Sequence, residues 1–130
     1  MSIFNAIGIA STGVTVHRKW LDAVSDNLSN MNNVSRTSEN AFQARYVQAR
    51  EAQDGNGTEV AAVRFGNPEG VVVYEPDNPL ADEQGYVRKP DIDMGSQMAQ
   101  MMMAQRSYQA NLSVVDRARD AYTAAINLGK

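Results

Sequence analysis

The sequence predicts a mainly α-helical protein in which two long terminal helices, coiled-coil-like in their patterning, flank a short β-hairpin region. Apolar residues alternate at spacings of four and three near both ends of the 130-residue chain, which is the heptad pattern of helices that present one narrow stripe to other helices. Short β-branched runs, separated by glycine and proline, occupy the middle and are typical of strands and turns. Hydrophobic residues are 43% and charged residues 21% of the chain, so composition is close to the globular average and does not predict disorder.

The first helix is predicted from an apolar series that we name the N-terminal stripe. Gly8 and Gly13 lie inside it, and each weakens a helix by about 1 kcal/mol relative to alanine. We therefore expect this helix to be marginal alone and to need a partner. An Asn-Met-Asn-Asn cluster at 30–33 ends it, because asparagine favours turns. The members of the N-terminal stripe are Ile3, Ile7, Ala10, Val14, His17, Leu21, Val24, Leu28 and Met31.

The middle of the chain contains three predicted strands. They cover 42–48, 60–65 and 71–74, and residues 85–87 form a further short extended piece. Gly-Asn-Pro-Glu-Gly at 66–70 is a turn sequence. It predicts that the strands on either side of it pair as a hairpin.

Charge is distributed unevenly. Residues 51–93 contain ten acidic and three basic side chains, whereas the remainder has five acidic and nine basic ones, for a total net charge of −3. This pattern predicts a solvated acidic middle between mildly basic ends. It provides no global basic surface for nucleic acid, so we expect no nucleic-acid partner.

The last helix is predicted from a second series, the C-terminal stripe. Asp93 precedes it and can cap the free amides of its first turn. Two polar members, Gln105 and Arg119, can set register or oligomeric order at some cost in stability. The members of the C-terminal stripe are Met94, Met98, Met101, Gln105, Tyr108, Leu112, Val115, Arg119, Tyr122 and Ile126.

These elements divide the chain into an N-terminal axial helix at 1–33, a loop and small β region at 34–93, and a C-terminal axial helix at 94–130. The β region is too small for a large independent core. A helical hairpin can bury part of each stripe against the other. The apolar area left over favours helix packing between molecules.

The sequence indicates no catalytic, cofactor-binding or metal-binding residues. His17 is the single histidine and there is no cysteine, so nothing near it in sequence completes a triad or a metal site. Asp91 and Asp93 are two residues apart and are not forced together, and a helix cap explains Asp93 better. The methionines at 101–103 are more often adaptable packing than a soft metal site.

The N-terminal segment has the pattern of neither a cleaved signal peptide nor a membrane-spanning helix. Residues 3–16 are charge-free and moderately apolar, but no Lys or Arg precedes them and polar residues interrupt them. We therefore expect no cleaved signal peptide. The apolar run is also too short for a direct membrane span.

Three blocks of the sequence resemble flagellar rod and hook proteins. Asp-Asn-Leu-Ser-Asn-Met-Asn-Asn at 26–33 resembles their asparagine-rich N-terminal signature. Gly-Tyr-Val-Arg-Lys-Pro-Asp-Ile-Asp at 85–93 is similar to the stretch before the last helix in proximal rod proteins of that family, and Arg-Ser-Tyr-Gln-Ala-Asn at 106–111 resembles a block within that helix. The motif residues are Asn27, Asn30, Asn32, Gly85, Tyr86, Val87, Arg106, Tyr108 and Asn111.

The resemblance implies a structural subunit of the flagellar basal-body rod, which crosses the periplasm, exported without a cleaved signal and polymerising through its terminal helices to transmit torque. It implies as partners further copies of the chain, other flagellar rod proteins, a basal-body adaptor and the flagellar export apparatus. The missing catalytic and metal-binding residues predict no cofactor and no enzymatic activity. The expected assembly interface comprises both stripes without Ala10, His17 and Met94: Ile3, Ile7, Val14, Leu21, Val24, Leu28, Met31, Met98, Met101, Gln105, Tyr108, Leu112, Val115, Arg119, Tyr122 and Ile126.

Two other functional classes remain as alternatives. One is a secreted helical-hairpin interaction protein or export substrate that does not polymerise, and the blocks at 85–93 and 106–111 argue against it. The other is a small wall hydrolase, which the lack of a convergent nucleophile, base or metal cluster disfavours.

Overall fold

A computed structural model describes residues 2–130 and contains two helices and four strands in this part of the chain. In chain order they are α1 (Ile3–Asn30), β1 (Arg45–Glu51), β2 (Thr58–Phe65), β3 (Val71–Tyr74), β4 (Tyr86–Lys89) and α2 (Met94–Leu128). The strands form two separate two-stranded sheets, β1–β2 and β3–β4. The predicted fold class, two long terminal helices flanking a small β insert, is confirmed. Met1, the first residue of the predicted N-terminal helix region, lies outside the described residues.

Local capping sets the inner ends of both helices, as the sequence predicts. At the end of α1, the Asn30 side chain donates to the Asp26 carbonyl at 2.8 Å, and the Asn33 amide donates to the Asn30 carbonyl at 3.0 Å. Asp93 accepts a hydrogen bond from the Ser96 amide at 2.7 Å, which satisfies one of the free first-turn donors of α2.

The predicted pairing of strands 60–65 and 71–74 is wrong. Both strands exist, but β2 pairs with β1, and β3 pairs antiparallel with β4, with Val73 opposite Val87. The turn at 66–70 does not close a hairpin, because two of its backbone groups bond to residues 41–44 instead. The Gly66 amide donates to the Ala44 carbonyl at 2.8 Å, and the Pro68 carbonyl accepts the Ala41 amide at 2.8 Å.

The same contacts correct the first predicted strand, which begins three residues later than expected, at Arg45 rather than 42. Residues 41–44 are held against the 66–68 turn instead of running in a ladder, and Ala41 and Ala44 are buried there. The connection between β1 and β2 is a tight one, in which the Ala52 amide donates to the Gly57 carbonyl at 2.9 Å.

The chain divides into two compact units. Unit 1 consists of residues 2–21, Val47–Ala62 and Met102–Lys130. Within it the α1 and α2 segments run antiparallel, since the Phe4 ring meets the Tyr122 ring at 5.0 Å and Gly13 faces Asn111. The hairpin is attached to α1 by the Thr58 amide, which donates to the Thr12 hydroxyl at 3.0 Å.

Unit 2 consists of Asp22–Tyr46 and Val63–Met101. The Ser35 and Arg88 backbones exchange hydrogen bonds of 2.8 and 2.9 Å, which fixes the loop after α1 against β4. The buried side chains of this unit are Ala23, Val24, Asn27, Ala41, Ala44, Val87, Pro90 and Gln97.

Candidate assembly site

Asn27 is the most deeply buried polar residue of unit 2, with 1% of its surface exposed. Its side-chain oxygen accepts the Arg45 amide at 2.8 Å, and its nitrogen donates to the Arg45 carbonyl and to the Gln97 side chain, both at 3.0 Å. The carboxamide thus behaves as an added strand residue opposite the first residue of β1. Because buried polar groups are stable only when hydrogen-bonded, Asn27 fixes how the end of α1, the start of β1 and the start of α2 meet. This is a structural role for a motif residue.

The block at 85–93 forms a tight turn and then strand β4. Gly85 is buried and has a φ of +88°, and a Cβ there would lie 2.8 Å from the Tyr74 ring, so both conformation and space favour glycine. Val87 is fully buried, whereas Tyr86 is exposed and meets Tyr74 edge-on at 5.3 Å. Arg88 donates to the Thr37 carbonyl at 2.8 Å and to the Glu69 carbonyl.

Two carboxylates stabilise the connection between β3 and β4. A hydrogen bond from Lys89 lowers the pKa of Glu75, with a further bond from Asn78. The Tyr86 amide, which donates to Asp82 at 2.9 Å, lowers the pKa of Asp82, and the Thr37 hydroxyl adds to this. A carboxylate whose folded pKa is depressed contributes stability above its ordinary pKa and loses it as the pH falls through the folded value. Both contributions are therefore present at neutral pH and lost in acid.

The remaining motif residues differ in burial. Asn30 is half-buried and Asn32 is exposed. In α2, Arg106 is exposed, while Tyr108 and Asn111 are half-buried, and Asn111 donates to the Ser107 carbonyl at 2.9 Å. These side chains do not converge on one chemical site.

Most side chains of the N-terminal stripe lie at the edge of the buried face of α1, where they are only partly covered. Of its predicted interface members only Val24 is buried and Ile3 is exposed. The others are half-buried: Ile7, Val14, Leu21, Leu28 and Met31. They retain apolar surface that a neighbouring molecule can cover, so their assignment to an assembly interface stays a prediction.

The C-terminal stripe is more exposed. Its half-buried members are Met101, Tyr108 and Val115, and the exposed ones are Met94, Met98, Gln105, Leu112, Arg119, Tyr122 and Ile126. No residue of 112–130 is buried. This surface is available to other molecules, and its role in assembly likewise stays a prediction.

Small residues that were not among the expected interface residues form the buried surface of unit 1. Ala10 and Ala104 are buried, and a Cβ on Gly13 would lie 2.7 Å from the Asn111 side-chain oxygen. Gly13 thus permits close approach of the two helical segments as well as weakening α1. The signal for this surface is the series of small residues at 6, 10 and 13, which repeats the four-three spacing, shares Ala10 with the N-terminal stripe and otherwise lies one residue before its larger side chains Ile7 and Val14.

Among residues 2–130, no group of three His, Asp or Glu side chains could hold a metal ion. His17 is half-buried, and its Nδ1 donates to the Gly13 carbonyl at 2.7 Å, one turn earlier in α1. In the same described stretch, neither helix is both long and apolar enough to cross a membrane.

Comparison with known proteins identifies the family. The chain is 33% identical over 134 residues to the flagellar basal-body rod protein FlgC of Salmonella typhimurium, covering 100% of both chains. The chain belongs to the FlgC family of flagellar basal-body rod proteins. FlgC of Aquifex aeolicus is 31% identical over 125 residues, with 94% of this chain and 93% of the relative covered, and FlgC of Bacillus subtilis is 25% identical with both chains fully covered.

A second match fits the motif blocks of this FlgC-family chain. Residues 83–128 match the family described as "Flagellar basal body rod FlgEFG protein C-terminal". That range contains β4 and the whole of α2. The resemblance inferred from 85–93 and 106–111 is therefore confirmed.

Proposed function

We propose that this member of the FlgC family is a structural subunit of the bacterial flagellar basal-body rod, which polymerises through its terminal helices and transmits torque. The similarity to rod proteins over the full length of the chain is the observation that carries the proposal. The exposed apolar side chains of α2, among them Leu112, Tyr122 and Ile126, support the helical part of it, because exposed apolar surface of this kind commonly marks protein interfaces.

The finer assignments belong to the same proposal. The axial helix regions are 1–33 and 94–130, and residues 34–93 form the intervening part. The partners are other copies of the chain, other rod proteins, a basal-body adaptor and the flagellar export apparatus. The chain acts in the periplasm-spanning rod, reaches it without a cleaved signal peptide, and catalyses no reaction.

The helical interface is tested by replacing Leu112, Tyr122 and Ile126 with serine together in cells whose only source of this subunit is the variant. We expect loss of swimming and of complete rods in isolated basal bodies, while the purified variant keeps its helical circular dichroism. The matched control replaces the exposed polar residues Gln109, Ser113 and Asp120 with alanine, and it should swim. Complete rods and normal swimming with the serine variant would refute assembly through this surface.

A further inference from the structure

The connection between β1 and β2 contains the chain's one asparagine–glycine pair, Asn56 and Gly57. An asparagine side chain is open to attack by the backbone nitrogen of the residue that follows it, and glycine hinders that attack least because it has no Cβ. Asn56 is exposed and lies outside both strands. Its conformation is therefore not fixed by a strand ladder, and loop tips of this kind are among the least constrained parts of a fold.

The hydrogen bonds of this connection leave the reacting groups available. Within residues 2–130 they use the Gly57 carbonyl, which accepts the Ala52 amide at 2.9 Å, but not the Gly57 amide nitrogen. The Asn56 backbone amide donates to the Asp54 carboxylate at 3.0 Å, whereas the Asn56 side chain makes only a longer bond, of 3.3 Å, to the Asp54 carbonyl. The side-chain amide is therefore weakly held, and the nitrogen that must attack it has no competing bond in this connection.

The preceding pair, Asp54 and Gly55, resembles this one but lacks both conditions. The Gly55 amide donates to the Ala52 carbonyl at 2.9 Å, so its nitrogen is already engaged. The side chain of Asp54 is a carboxylate, which is a much poorer electrophile than a carboxamide. Of the two neighbouring pairs, only the one at 56–57 therefore combines a reactive side chain with an available nitrogen.

The attachment of the hairpin to α1 requires glycine at position 57. Gly57 has a φ of +112°, and a Cβ there would collide with the Thr12 side chain of α1. The next residue, Thr58, donates its amide to the Thr12 hydroxyl at 3.0 Å, and that hydroxyl donates to the Ile9 carbonyl at 2.6 Å. Both conformation and space therefore favour glycine. The close approach that fastens the hairpin thus places glycine directly after Asn56 and creates the reactive pair.

We propose that Asn56 is a site of spontaneous covalent modification, at which the side chain deamidates to isoaspartate and the β1–β2 hairpin is released from α1. The Gly57 nitrogen loses its proton to solvent base and bonds to the side-chain carbonyl carbon of Asn56. The carbon–nitrogen bond of the carboxamide breaks, and its nitrogen takes up a proton and leaves as ammonia.

The product of this first step is a cyclic imide, which water then opens at one of its two carbonyl carbons. Opening at the side-chain carbonyl carbon gives aspartate with a normal backbone. Opening at the backbone carbonyl carbon gives isoaspartate, in which the chain runs through the former side chain. Water is the one co-reactant, and no electrons are transferred. The reaction does not depend on the proposed function, because it needs only the chain and water.

Isoaspartate at position 56 lengthens the backbone by one carbon before Gly57 and adds a negative charge. Two hydrogen bonds depend on where residues 57 and 58 lie: the Ala52 amide donates to the Gly57 carbonyl, and the Thr58 amide donates to the Thr12 hydroxyl. Hydrogen bonds weaken steeply when distance and angle change. The added backbone atom therefore displaces Thr58 from Thr12 and releases the hairpin.

Packing between α1 and the hairpin is incomplete beside this attachment. A hollow of about 210 Å³ is lined by Thr12 and Thr58 themselves. A larger one, of about 330 Å³, is lined by Val16, His17, Trp20, Val47, Ala49 and Thr58. Because the walls of a hollow lack contacts with each other, the polar contact at Thr12 carries much of the attachment. Trp20, the single tryptophan of the chain, lines the larger hollow, so its fluorescence reports release of the hairpin.

The first test measures the reaction. The full chain is incubated at neutral and at mildly alkaline pH, and its peptides are analysed by mass spectrometry and by methylation with an isoaspartate methyltransferase. We expect amide-to-acid conversion at Asn56, faster at the higher pH because the attacking nitrogen must lose its proton. Asn67 is the internal control, since it is exposed in a turn but is followed by Pro68, which has no N–H to attack. Asn56→Gln should slow the conversion at least 10-fold, because the ring it would form is larger. An unchanged Asn56, or equal conversion of Asn67, would refute the site.

The second test measures release of the hairpin in the purified isoaspartate form. We expect the Thr58 amide to exchange its hydrogen about 5-fold faster than in fresh protein, since one net hydrogen bond is lost, and the Trp20 emission to shift to the red. Freshly prepared Thr12→Val, which lacks the accepting hydroxyl, should exchange Thr58 at the faster rate without any modification.

Asn56→Asp is the matched control for charge, because it has the added negative charge and a normal backbone, and it should behave like fresh protein. An isoaspartate form with the Thr58 exchange and Trp20 emission of fresh protein would refute the release of the hairpin. An Asn56→Asp protein that behaves like the isoaspartate form would refute the added backbone atom as its cause.

Discussion

The two compact units differ in how far they satisfy their own groups. In unit 2, Asn27 and Gln97 are buried and bonded to each other, and Val24 and Val87 are almost completely shielded from solvent. In unit 1, the buried side chains are small, namely Ala10, Val16 and Ala104, and residues 121–130 are all exposed. Unit 2 therefore has the stronger internal contacts, whereas unit 1 leaves more of its side-chain surface open to contacts with other molecules.

The Asn27 contact provides the largest expected effect. Asn27→Ala leaves the Arg45 amide and carbonyl and the Gln97 side chain without their partner, and a buried group left unsatisfied costs about 1–3 kcal/mol. We expect the free energy of unfolding to fall by about 3 kcal/mol in urea denaturation followed by circular dichroism. Asn32→Ala, at an exposed motif position, is the control and should change little. Equal stability of the two variants would show that unit 2 does not depend on this contact.

The attachment of the β1–β2 hairpin in unit 1 should matter less. Thr12→Val removes the hydroxyl that accepts the Thr58 amide, but this amide is exposed and water can replace the bond. We expect a loss of about 0.5–1.5 kcal/mol, the usual net value of one hydrogen bond. Thr15→Val is the matched control, because Thr15 bonds only within α1, to the Ser11 carbonyl at 3.2 Å. A loss as large as that of Asn27→Ala would remove the contrast between the units.

The end of α2 should have the smallest effect on the isolated protein and a decisive one on assembly. Removing residues 126–130 takes away Ile126 and Leu128, of which Leu128 is 89% exposed, so the unfolding free energy should change by less than about 0.5 kcal/mol. Incorporation into rods should nevertheless be lost, because partner burial of such side chains contributes about 1.5–3 kcal/mol each in every subunit. Rod yield and swimming measure this, with removal of 129–130 alone as the control. Normal swimming of the longer truncation would show that the terminus is dispensable.

Sequence reasoning predicted the helices well because their signals are local. The four-three spacing of apolar residues, the asparagine cluster after α1 and the Asp93 cap before α2 all act within a few residues, and both inner helix ends lie where they were expected. The β3 strand was also predicted from its own composition. The motif blocks predicted the family. Two of their residues, Gly85 and Val87, occupy positions whose space and conformation strongly restrict which residue fits there.

The sequence by itself therefore determined the two helices, their caps, the short strands and the family. Only the tertiary structure decided which strands pair and which face of each helix is buried. Both depend on groups far apart in the chain: the Gly66 amide is taken by Ala44, 22 positions earlier, so the 66–70 turn cannot close the hairpin that its composition favours. Likewise the sequence identifies Asn27 only as a motif residue, and its burial depends on the distant residues Arg45 and Gln97, which provide its three hydrogen bonds. A periodic pattern restricts which residues share a helix face, but the close approach that Gly13 permits determines which face another helix segment covers.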